Sequence, residues 1–388
     1  MIPRALAIKI SELIEKFPII AITGPRQSGK TTLSKILKPN YKYVNLENLS
    51  DREFAKTDPI GFLETYKNGA IIDEIQNVPS LFSYLQVVTD ERNNNGEYII
   101  TGSQNFLMME QIAQSLAGRV AIFSLLPLSY SELKNSIYTP KTWESYAISG
   151  CYPRKIIQDI SATDYYGNYI KTYIERDVRL LKNITNLDLF QKFIQLIAGR
   201  AGQLFNQSSL GNELGLDNKT INSWFSLLET SFIAFRLQPY HSNFNKRIIK
   251  TPKIYFYDTG LLSYLLGIRN ENDLESHFAK GAIFENLVIS ELQKNAINSS
   301  ANAKFFFWRD HSQNEVDVII ESGMQLDAIE IKSGKTINQN FFKGLDFFKS
   351  LNEKTNLHLI YGGVENQERS KYKVSTIYNL PDIKEFNS

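Results

Sequence analysis

The most constraining feature of this chain is a glycine-rich octapeptide, Gly24-Pro25-Arg26-Gln27-Ser28-Gly29-Lys30-Thr31. It fits the P-loop pattern G-x-x-x-x-G-K-[ST], in which a loop turns several backbone N–H groups toward one point. The apolar run Phe17–Thr23 precedes it and predicts a buried strand, while Thr31–Leu37 predicts the start of a helix. This strand–loop–helix order predicts a site for a triphosphate at the positive end of a helix. The alternative is a glycine turn before an ordinary helix with a solvated lysine.

Residue chemistry within the loop assigns a role to two side chains. Lys30 would reach the β- and γ-phosphates, and Thr31 would offer its hydroxyl to Mg²⁺. We predict that the nucleotide is bound by the whole segment, which comprises Gly24, Pro25, Arg26, Gln27, Ser28, Gly29, Lys30, Thr31 and Thr32.

From Ile19 to Ser124, strand-like and helix-like segments alternate along the chain. This alternation predicts an α/β layer with a mostly parallel sheet, because parallel strands need helical crossovers. The predicted strands are Ile19–Thr23, Tyr43–Leu46, Ala70–Asp73, Tyr98–Thr101 and Val120–Ser124.

The third predicted strand ends in two acids, Asp73 and Glu74, which is the Walker B pattern. Asp73 would hold Mg²⁺ at the carboxyl end of the strand, and Glu74 would polarise the attacking water. Acids that merely cap a surface strand are common, so this hypothesis depends on the nearby P-loop.

Two further positions are candidates for phosphate contacts. Ser103, or Thr101 before it, would sense the γ-phosphate, because ligands of open α/β sheets bind beyond the carboxyl ends of the strands. An ordinary strand-ending turn explains these residues equally well. Arg119 would contact a phosphate of its own subunit or of a neighbour, since a guanidinium suits phosphoryl charge. A structural ion pair is an equal alternative for Arg119.

Length and composition bound the remaining interpretations. A chain of 388 residues is too long for one core, so two or three domains are expected. The net charge of +2 means that any nucleic-acid contact must come from a local basic patch. The single cysteine, Cys151, excludes an internal disulfide framework, and no apolar run reaches the roughly 18 residues that span a bilayer. We therefore expect a cytoplasmic protein without a membrane segment.

The segment Ser208–Trp224 fits a helix–turn–helix. Gly215 is suited to end its first helix, and Asp217 or Asn218 is suited to cap the second. The aromatic and basic segment Phe232–Lys253 follows and predicts a wing.

Contact between this module and DNA is predicted from a small number of charges. Lys219 lies on the second helix, while Lys246, Arg247, Lys250 and Lys253 form a basic patch on the predicted wing. Because helix–turn–helix units also serve as protein-contact modules, a protein partner is the alternative.

The C-terminal region contains acids that can converge on a metal ion. Glu285 lies on a predicted helix, Asp317 on a strand, and Glu330 and Lys332 on one face of the next strand. Carboxylates that hold Mg²⁺ beside a lysine could activate water against a phosphodiester. The spacing is similar to the D…[DE]-x-K signature of restriction-endonuclease-like nucleases. A retained fold without this chemistry is the alternative.

Taken together, these motifs resemble those of the bacterial and archaeal AAA-type P-loop ATPases that carry a winged helix and a nuclease-like C-terminal domain. The resemblance covers nearly the whole chain and implies an ATP-binding, ATP-hydrolysing core with Mg²⁺. Cys151 departs from the glycine that the family tends to have there. The resembling segments are Pro3-Arg4, Gly24–Thr32, Leu46-Glu47, Ile72–Gln76, Ile100–Ser103, Leu116–Arg119, Leu126–Ser129, Tyr173–Asp177, Lys250–Lys253 and Tyr257–Leu261.

The resemblance and the composition shifts predict four parts of the chain. They are an AAA-like α/β domain (1–135), a helical lid or linker (136–200), a winged helix–turn–helix (201–256) and a small nuclease-like α/β domain (257–388). The favoured function is a DNA-associated ATPase with a metal-dependent nuclease-like end. The alternative is a nucleotide-dependent signalling or scaffold switch that binds protein partners. An arginine finger from Arg119 of a neighbour would require an oligomer.

Overall fold

The computed structural model describes residues 2–103, 105–174, 184, 186–241 and 250–380. The described chain forms two compact units. One comprises the residues up to Leu128 together with Thr230–Phe232, and the other comprises Ser129–Glu229 and the residues from Ile233 onward. The four-part division remains a prediction. None of the described helices combines the length and the apolar character that crossing a membrane requires.

The first unit contains a parallel sheet flanked by helices, which confirms the predicted α/β core. Its described strands are β1 (Ile19–Thr23), β2 (Lys42–Asn45), β3 (Ala70–Asp73), β4 (Tyr98–Gly102) and β5 (Val120–Ser124), in the spatial order β2-β3-β4-β1-β5. Its helices are α1 (Leu6–Leu13), α2 (Lys30–Leu37), α3 (Leu49–Thr57), α4 (Pro59–Thr65), α5 (Leu81–Arg92) and α6 (Asn105–Ser115).

The central strands of this sheet are buried on both faces. Every residue of β1, β3 and β4 is buried, as expected of parallel strands covered by helices on either side. One apolar cluster lies around Phe62, Phe82 and Ile100, and a second lies around Leu6, Ile22 and Leu125. Because all strands run in parallel, their carboxyl ends meet at one edge of the sheet.

The second unit begins with helices and ends in a mixed sheet. Its helices are α7 (Tyr130–Leu133), α8 (Trp143–Ser149), α9 (Pro153–Ile157), α10 (Ala162–Tyr169), α11 (Leu187–Ala198), α12 (Gln207–Leu214), α13 (Asn218–Thr230), α14 (Thr259–Leu265), α15 (Glu271–Ser276), α16 (Lys280–Ser299) and α17 (Lys343–Leu351). Its strands are β6 (Ala234–Pro239), β7 (Lys253–Phe256), β8 (Lys304–Arg309), β9 (Glu315–Ser322), β10 (Gln325–Lys332), β11 (Asn356–Tyr361), β12 (Gln367–Glu368) and β13 (Lys373–Thr376).

Helices α12 and α13 follow one another with only residues 215–217 between them, and their assignment as a helix–turn–helix remains a prediction. Gly215 ends α12 in the left-handed region, with a φ of 67°. The Asp217 carboxylate accepts a hydrogen bond from the backbone N–H of Thr220 at 2.8 Å and so caps α13. Strands β6 and β7 follow as an antiparallel pair.

This strand pair belongs to a larger sheet and not to an isolated wing. Strand β6 also pairs with β8, where Gln238 lies opposite Phe306, so the described strands run in the order β12-β13-β11-β10-β9-β8-β6-β7. The predicted boundary at residues 256 and 257 therefore falls inside one continuous sheet.

The interior of the second unit contains two buried acids with several partners. Asp258 accepts hydrogen bonds from the backbone N–H of Cys151 (2.7 Å) and from the Tyr166 hydroxyl (2.6 Å). Glu291 of α16 forms an ion pair with Lys294 at 2.8 Å and accepts a hydrogen bond from Tyr146 at 2.7 Å. These contacts tie the segment after the first unit to α14 and α16.

Candidate functional site

The P-loop is held by close backbone packing and by an arginine near the start of the chain. A Cβ on Gly24, whose φ is 141°, would lie 2.2 Å from the carbonyl oxygen of Leu125, so only glycine fits there. The Arg4 guanidinium donates to the carbonyl oxygen of Ser28 at 2.7 Å and to that of Leu126 at 2.6 Å. These contacts fix the loop between the ends of two strands.

Lys30 lies folded back on the loop that precedes it. Its Nζ donates to the carbonyl oxygens of Gly24 and Pro25, each at 2.9 Å, and the side chain is buried. The ammonium group is thus already inside the curve of the loop, where a phosphate chain would bring negative charge.

Asp73 has donors on both of its carboxylate oxygens. Thr31 Oγ1 donates to Oδ2 at 2.7 Å, and Tyr43 Oη donates to the same oxygen at 2.8 Å. Oδ1 accepts from the Thr101 hydroxyl and from the backbone N–H of Glu74. The structure therefore brings the P-loop threonine and the acid of the third strand into direct contact. Burial is the main reason that the pKa of Tyr43 is raised, so its hydroxyl stays a donor.

Glu74 follows Asp73 in a left-handed conformation, with a φ of 53°. Its Oε2 accepts hydrogen bonds from Gln76 Nε2 at 2.5 Å, from Ser103 Oγ at 2.9 Å and from the Ser103 backbone N–H at 3.3 Å. Ser103 is therefore placed beside Glu74 at the carboxyl edge of the sheet. Neither Gln76 nor Tyr43 was predicted from the sequence to contribute to this site.

The residues at this edge fit a magnesium-bound triphosphate. The Ser28 hydroxyl is buried in the loop and makes no hydrogen bond, which leaves a donor for a phosphate oxygen. Thr31 and Asp73 provide the hydroxyl and carboxylate oxygens that Mg²⁺ prefers. Lys30 and the start of α2 provide positive charge.

Arg119 lies at the other edge of the sheet. It precedes β5, and its carbonyl oxygen accepts from the backbone N–H of Ile19, at the amino end of β1. The five residues of β5 separate it from the P-loop edge by about 16 Å. Its guanidinium forms a two-pronged pair with Asp90 at 2.5 and 2.7 Å. This position rules against a phosphate contact within the same subunit; the contact with a neighbour remains a prediction.

In the second unit, the structure brings Asp317, Glu330 and Lys332 together. Lys332 Nζ lies 2.5 Å from Glu330 Oε1 and 3.5 Å from Asp317 Oδ2. Asp317 Oδ2 also accepts from the backbone N–H of Ile331 at 2.8 Å, beyond the last paired residues of β9 and β10. The Asp317 carboxylate thus accepts the hydrogen bond that a backbone carbonyl of β9 would accept if the pairing of β9 and β10 continued.

Glu285 of α16 lies near these three residues and, together with them, forms what we call the acidic site, but it is held by a different strand. It accepts from the Tyr255 hydroxyl at 2.5 Å and from Lys253 Nζ at 3.2 Å. Lys253 Nζ also lies 2.5 Å from Glu315. We call Lys253, Tyr255 and Glu285 the β7 triad.

Burial and mutual repulsion shape the ionisation of these acids. Burial, followed by the charge of Asp317, raises the pKa of Glu330 to about 8. Burial also raises the pKa of Glu285. Although burial acts to lower it, the nearby acids, with Glu285 first, hold the pKa of Lys253 above its ordinary value.

The chemistry of the acidic site suits a hard cation. Carboxylate oxygens are the ligands that Mg²⁺ takes, and the buried Glu330 Oε2 makes no hydrogen bond. Asp317 and Glu330 would hold the ion, and Glu285 lies close enough to add to the repulsion that raises the pKa of Glu330. In the conformation described here, no three His, Cys, Asp or Glu side chains of the described ranges are arranged around one metal position.

The predicted DNA-contact residues have different environments. Lys219 on α13 and Lys250 before β7 are exposed, whereas Lys246 and Arg247 lie outside the described residues. The inclusion of Lys253 in the basic patch was wrong. Its side chain is buried and pairs with Glu285 and Glu315, so it cannot reach a DNA backbone.

Comparison with known protein families divides the chain into three segments. Residues 16–134 match an AAA domain. The match supports an AAA-type domain in this segment. Residues 140–272 and 280–383 match two domains of unknown function, DUF8612 and DUF4143.

Two relatives and one solved structure are also similar to this chain. An uncharacterised protein of Mycobacterium tuberculosis is 28% identical over 334 residues, which cover 86% of this chain and 74% of the relative. An uncharacterised protein of Haemophilus influenzae is 26% identical over 287 residues, covering 66% of this chain and 70% of the relative. A Walker-type ATPase of Pyrococcus abyssi is 14% identical with a TM-score of 0.47, covering 67% of this chain and 94% of that structure.

The position of Tyr43 generates a prediction about the metal requirement of the first unit. Because Tyr43 orients the carboxylate oxygen that also contacts Thr31, Tyr43→Phe should raise the Mg²⁺ concentration needed for half-maximal nucleotide binding by about 10-fold or more. A fluorescent ATP analogue titrated at increasing Mg²⁺ measures this. Tyr84→Phe, on a half-exposed tyrosine of α5, is the control. An unchanged Mg²⁺ midpoint in Tyr43→Phe would contradict the assignment.

The raised pKa of Glu330 generates a second prediction. The unfolded carboxyl keeps its ordinary pKa of 4.5 while the folded one has a pKa of about 8, so folding favours the protonated form. This stabilisation is complete below the unfolded pKa and is lost as pH rises through about 8. Relative to Glu330→Gln, the free energy of unfolding should fall by up to about 1.4 kcal/mol per pH unit across that window. Urea titrations with a chelator present measure this, and parallel pH profiles would refute it.

Proposed function

We propose that the first unit binds ATP with Mg²⁺ and hydrolyses ATP. The observation that carries this proposal is the 2.7 Å hydrogen bond between Thr31 of the P-loop and Asp73 at the end of β3. A hydroxyl and a carboxylate at that separation, beside a buried lysine, are what a magnesium–triphosphate site needs.

The side chains divide the work of the reaction. Lys30 would leave the carbonyls of Gly24 and Pro25 to contact the terminal phosphates, while Thr31 and Asp73 would hold the metal, which offsets the charge of the phosphoryl oxygens. Glu74 would take the proton of the attacking water. Gln76 and Ser103 hold the Glu74 carboxylate and so set its direction.

Two substitutions separate binding from hydrolysis. Lys30→Ala should abolish ATP binding, whereas Glu74→Gln should keep the binding affinity and lower kcat by about 100-fold or more, because only the base is lost. Calorimetry measures the first effect and phosphate release measures the second. Lys67→Ala removes an exposed lysine of the same unit and is the control. Retained turnover in Lys30→Ala would reject the proposal.

A second candidate function is the metal-dependent cleavage of DNA at the acidic site. The convergence of Asp317, Glu330 and Lys332 at the end of a β ladder favours it, because such a group can hold a cation and orient water. Exposed Lys219 and Lys250 support contact between the helix–turn–helix and a DNA backbone.

The alternative to DNA cleavage is a nucleotide-dependent switch that binds a protein partner. The exposed surface of α12 and α13 favours it, because acidic Glu213 and Asp217 accompany the single lysine of α13. If Arg119 acts as an arginine finger on the nucleotide of a neighbouring subunit, the switch would have to be an oligomer.

One assay decides between these candidates. Wild-type protein should cut duplex or single-stranded DNA with Mn²⁺ present, and Asp317→Ala or Lys332→Ala should lower the rate by at least about 100-fold. Lys304→Met, which removes an exposed lysine of β8, is the control. If the wild type cuts no DNA with Mg²⁺ or Mn²⁺ and DNA leaves ATP turnover unchanged, the protein-partner switch is favoured.

A further inference from the structure

We propose that Lys253 and Tyr255 are positioning residues of the acidic site, and that Lys253 supplies the positive charge that its acids need while no metal is bound. This inference rests on the second candidate function, in which the site takes a divalent cation. It extends the site beyond Glu285, Asp317, Glu330 and Lys332 to a strand that follows the helix–turn–helix.

The geometry places both residues on one face of β7. Lys253 and Tyr255 are two positions apart on a strand, so their side chains point the same way. Both reach Glu285, and Lys253 also reaches Glu315, the first residue of β9. Lys253 is 3% exposed, so its charge is offset by these acids and not by water.

The charge of the site explains why a buried lysine belongs there. Glu285, Glu315, Asp317 and Glu330 lie close together, and only part of their charge is offset by Lys332 and by Arg309, which lies 3.3 Å from Glu315. Buried like charges repel strongly in a medium of low dielectric constant. Lys253 lowers that repulsion, while the Tyr255 hydrogen bond fixes the direction of the Glu285 carboxylate.

The same helix provides an internal comparison. Glu291 of α16 is also held by a lysine and a tyrosine, Lys294 and Tyr146. We call these three residues the α16 triad. Its lysine and glutamate side chains are each 1% exposed, whereas the Glu285 side chain is 18% exposed and its pKa is influenced by Asp317. The two triads share their chemistry, but only the β7 triad adjoins the acidic site.

This pairing gives a matched test with Mn²⁺ as the probe. Tyr255→Phe should lower the affinity for Mn²⁺ by about 10- to 100-fold, because Glu285 loses the donor that orients it. Tyr146→Phe removes the equivalent hydrogen bond of the α16 triad and should leave the Mn²⁺ affinity unchanged. Titration of free Mn²⁺ by electron paramagnetic resonance measures both, and Asp317→Ala identifies the ions bound at the acidic site.

The lysines are compared through thermal stability. Lys253→Met should lower the Tm of the metal-free protein, and Mn²⁺ should raise its Tm by more than it raises that of the wild type, because the ion replaces the missing charge. Lys294→Met should also lower the Tm, but its response to Mn²⁺ should equal that of the wild type. If Lys253→Met does not fold, the Mn²⁺ affinity of Tyr255→Phe still tests the proposal.

Two outcomes separate this inference from the function on which it rests. If the wild type binds Mn²⁺ at a site that Asp317→Ala removes, but the variants of the two triads respond alike, the role of the β7 triad is wrong and the metal site stands. If the Asp317→Ala variant takes up as much Mn²⁺ as the wild type does, the metal-dependent function and this inference are both wrong.

Discussion

A carboxylate at the end of a buried strand must find donors or a cation, and both candidate sites follow from that constraint. In the first unit, Asp73 satisfies it with hydroxyl donors from three other segments and with the backbone N–H of Glu74. In the second unit, Asp317 satisfies it with the backbone N–H of Ile331 and with Lys332. The need for hydrogen-bond partners thus places the P-loop threonine beside Asp73 and the lysine of β10 beside Asp317.

The sequence predicted those features that local patterns determine. The strand–P-loop–helix motif and the apolar runs around it located the parallel sheet, and β1, β3 and β5 have the predicted bounds. The pattern of Glu330 and Lys332 located the second group of acids, because side chains two apart share a strand face. Gly215 located the end of α12 for a similar reason, since few other residues adopt its left-handed conformation.

The features that the sequence did not reveal depend on contacts between distant segments. Nothing near Gln238 indicates that β6 pairs with β8, because that partner lies far along the chain. Lys253 looked like a surface cation, since a lysine is seldom buried unless acids surround it, and those acids come from α16 and β9. Tyr255 follows only once Lys253 is placed beside Glu285, because side chains two apart on a strand share one face.

Helix α16 carries the glutamate of each triad, and these two contacts hold the helix in place. Its 20 residues span about 30 Å, with Glu285 near one end and Glu291 farther along. A sliding or rotation of the helix would break a buried lysine–glutamate–tyrosine contact at each position, so small displacements are opposed twice. The helix is therefore anchored at two positions about 9 Å apart along its axis, and the position held by Tyr146 is the one that does not adjoin the acidic site.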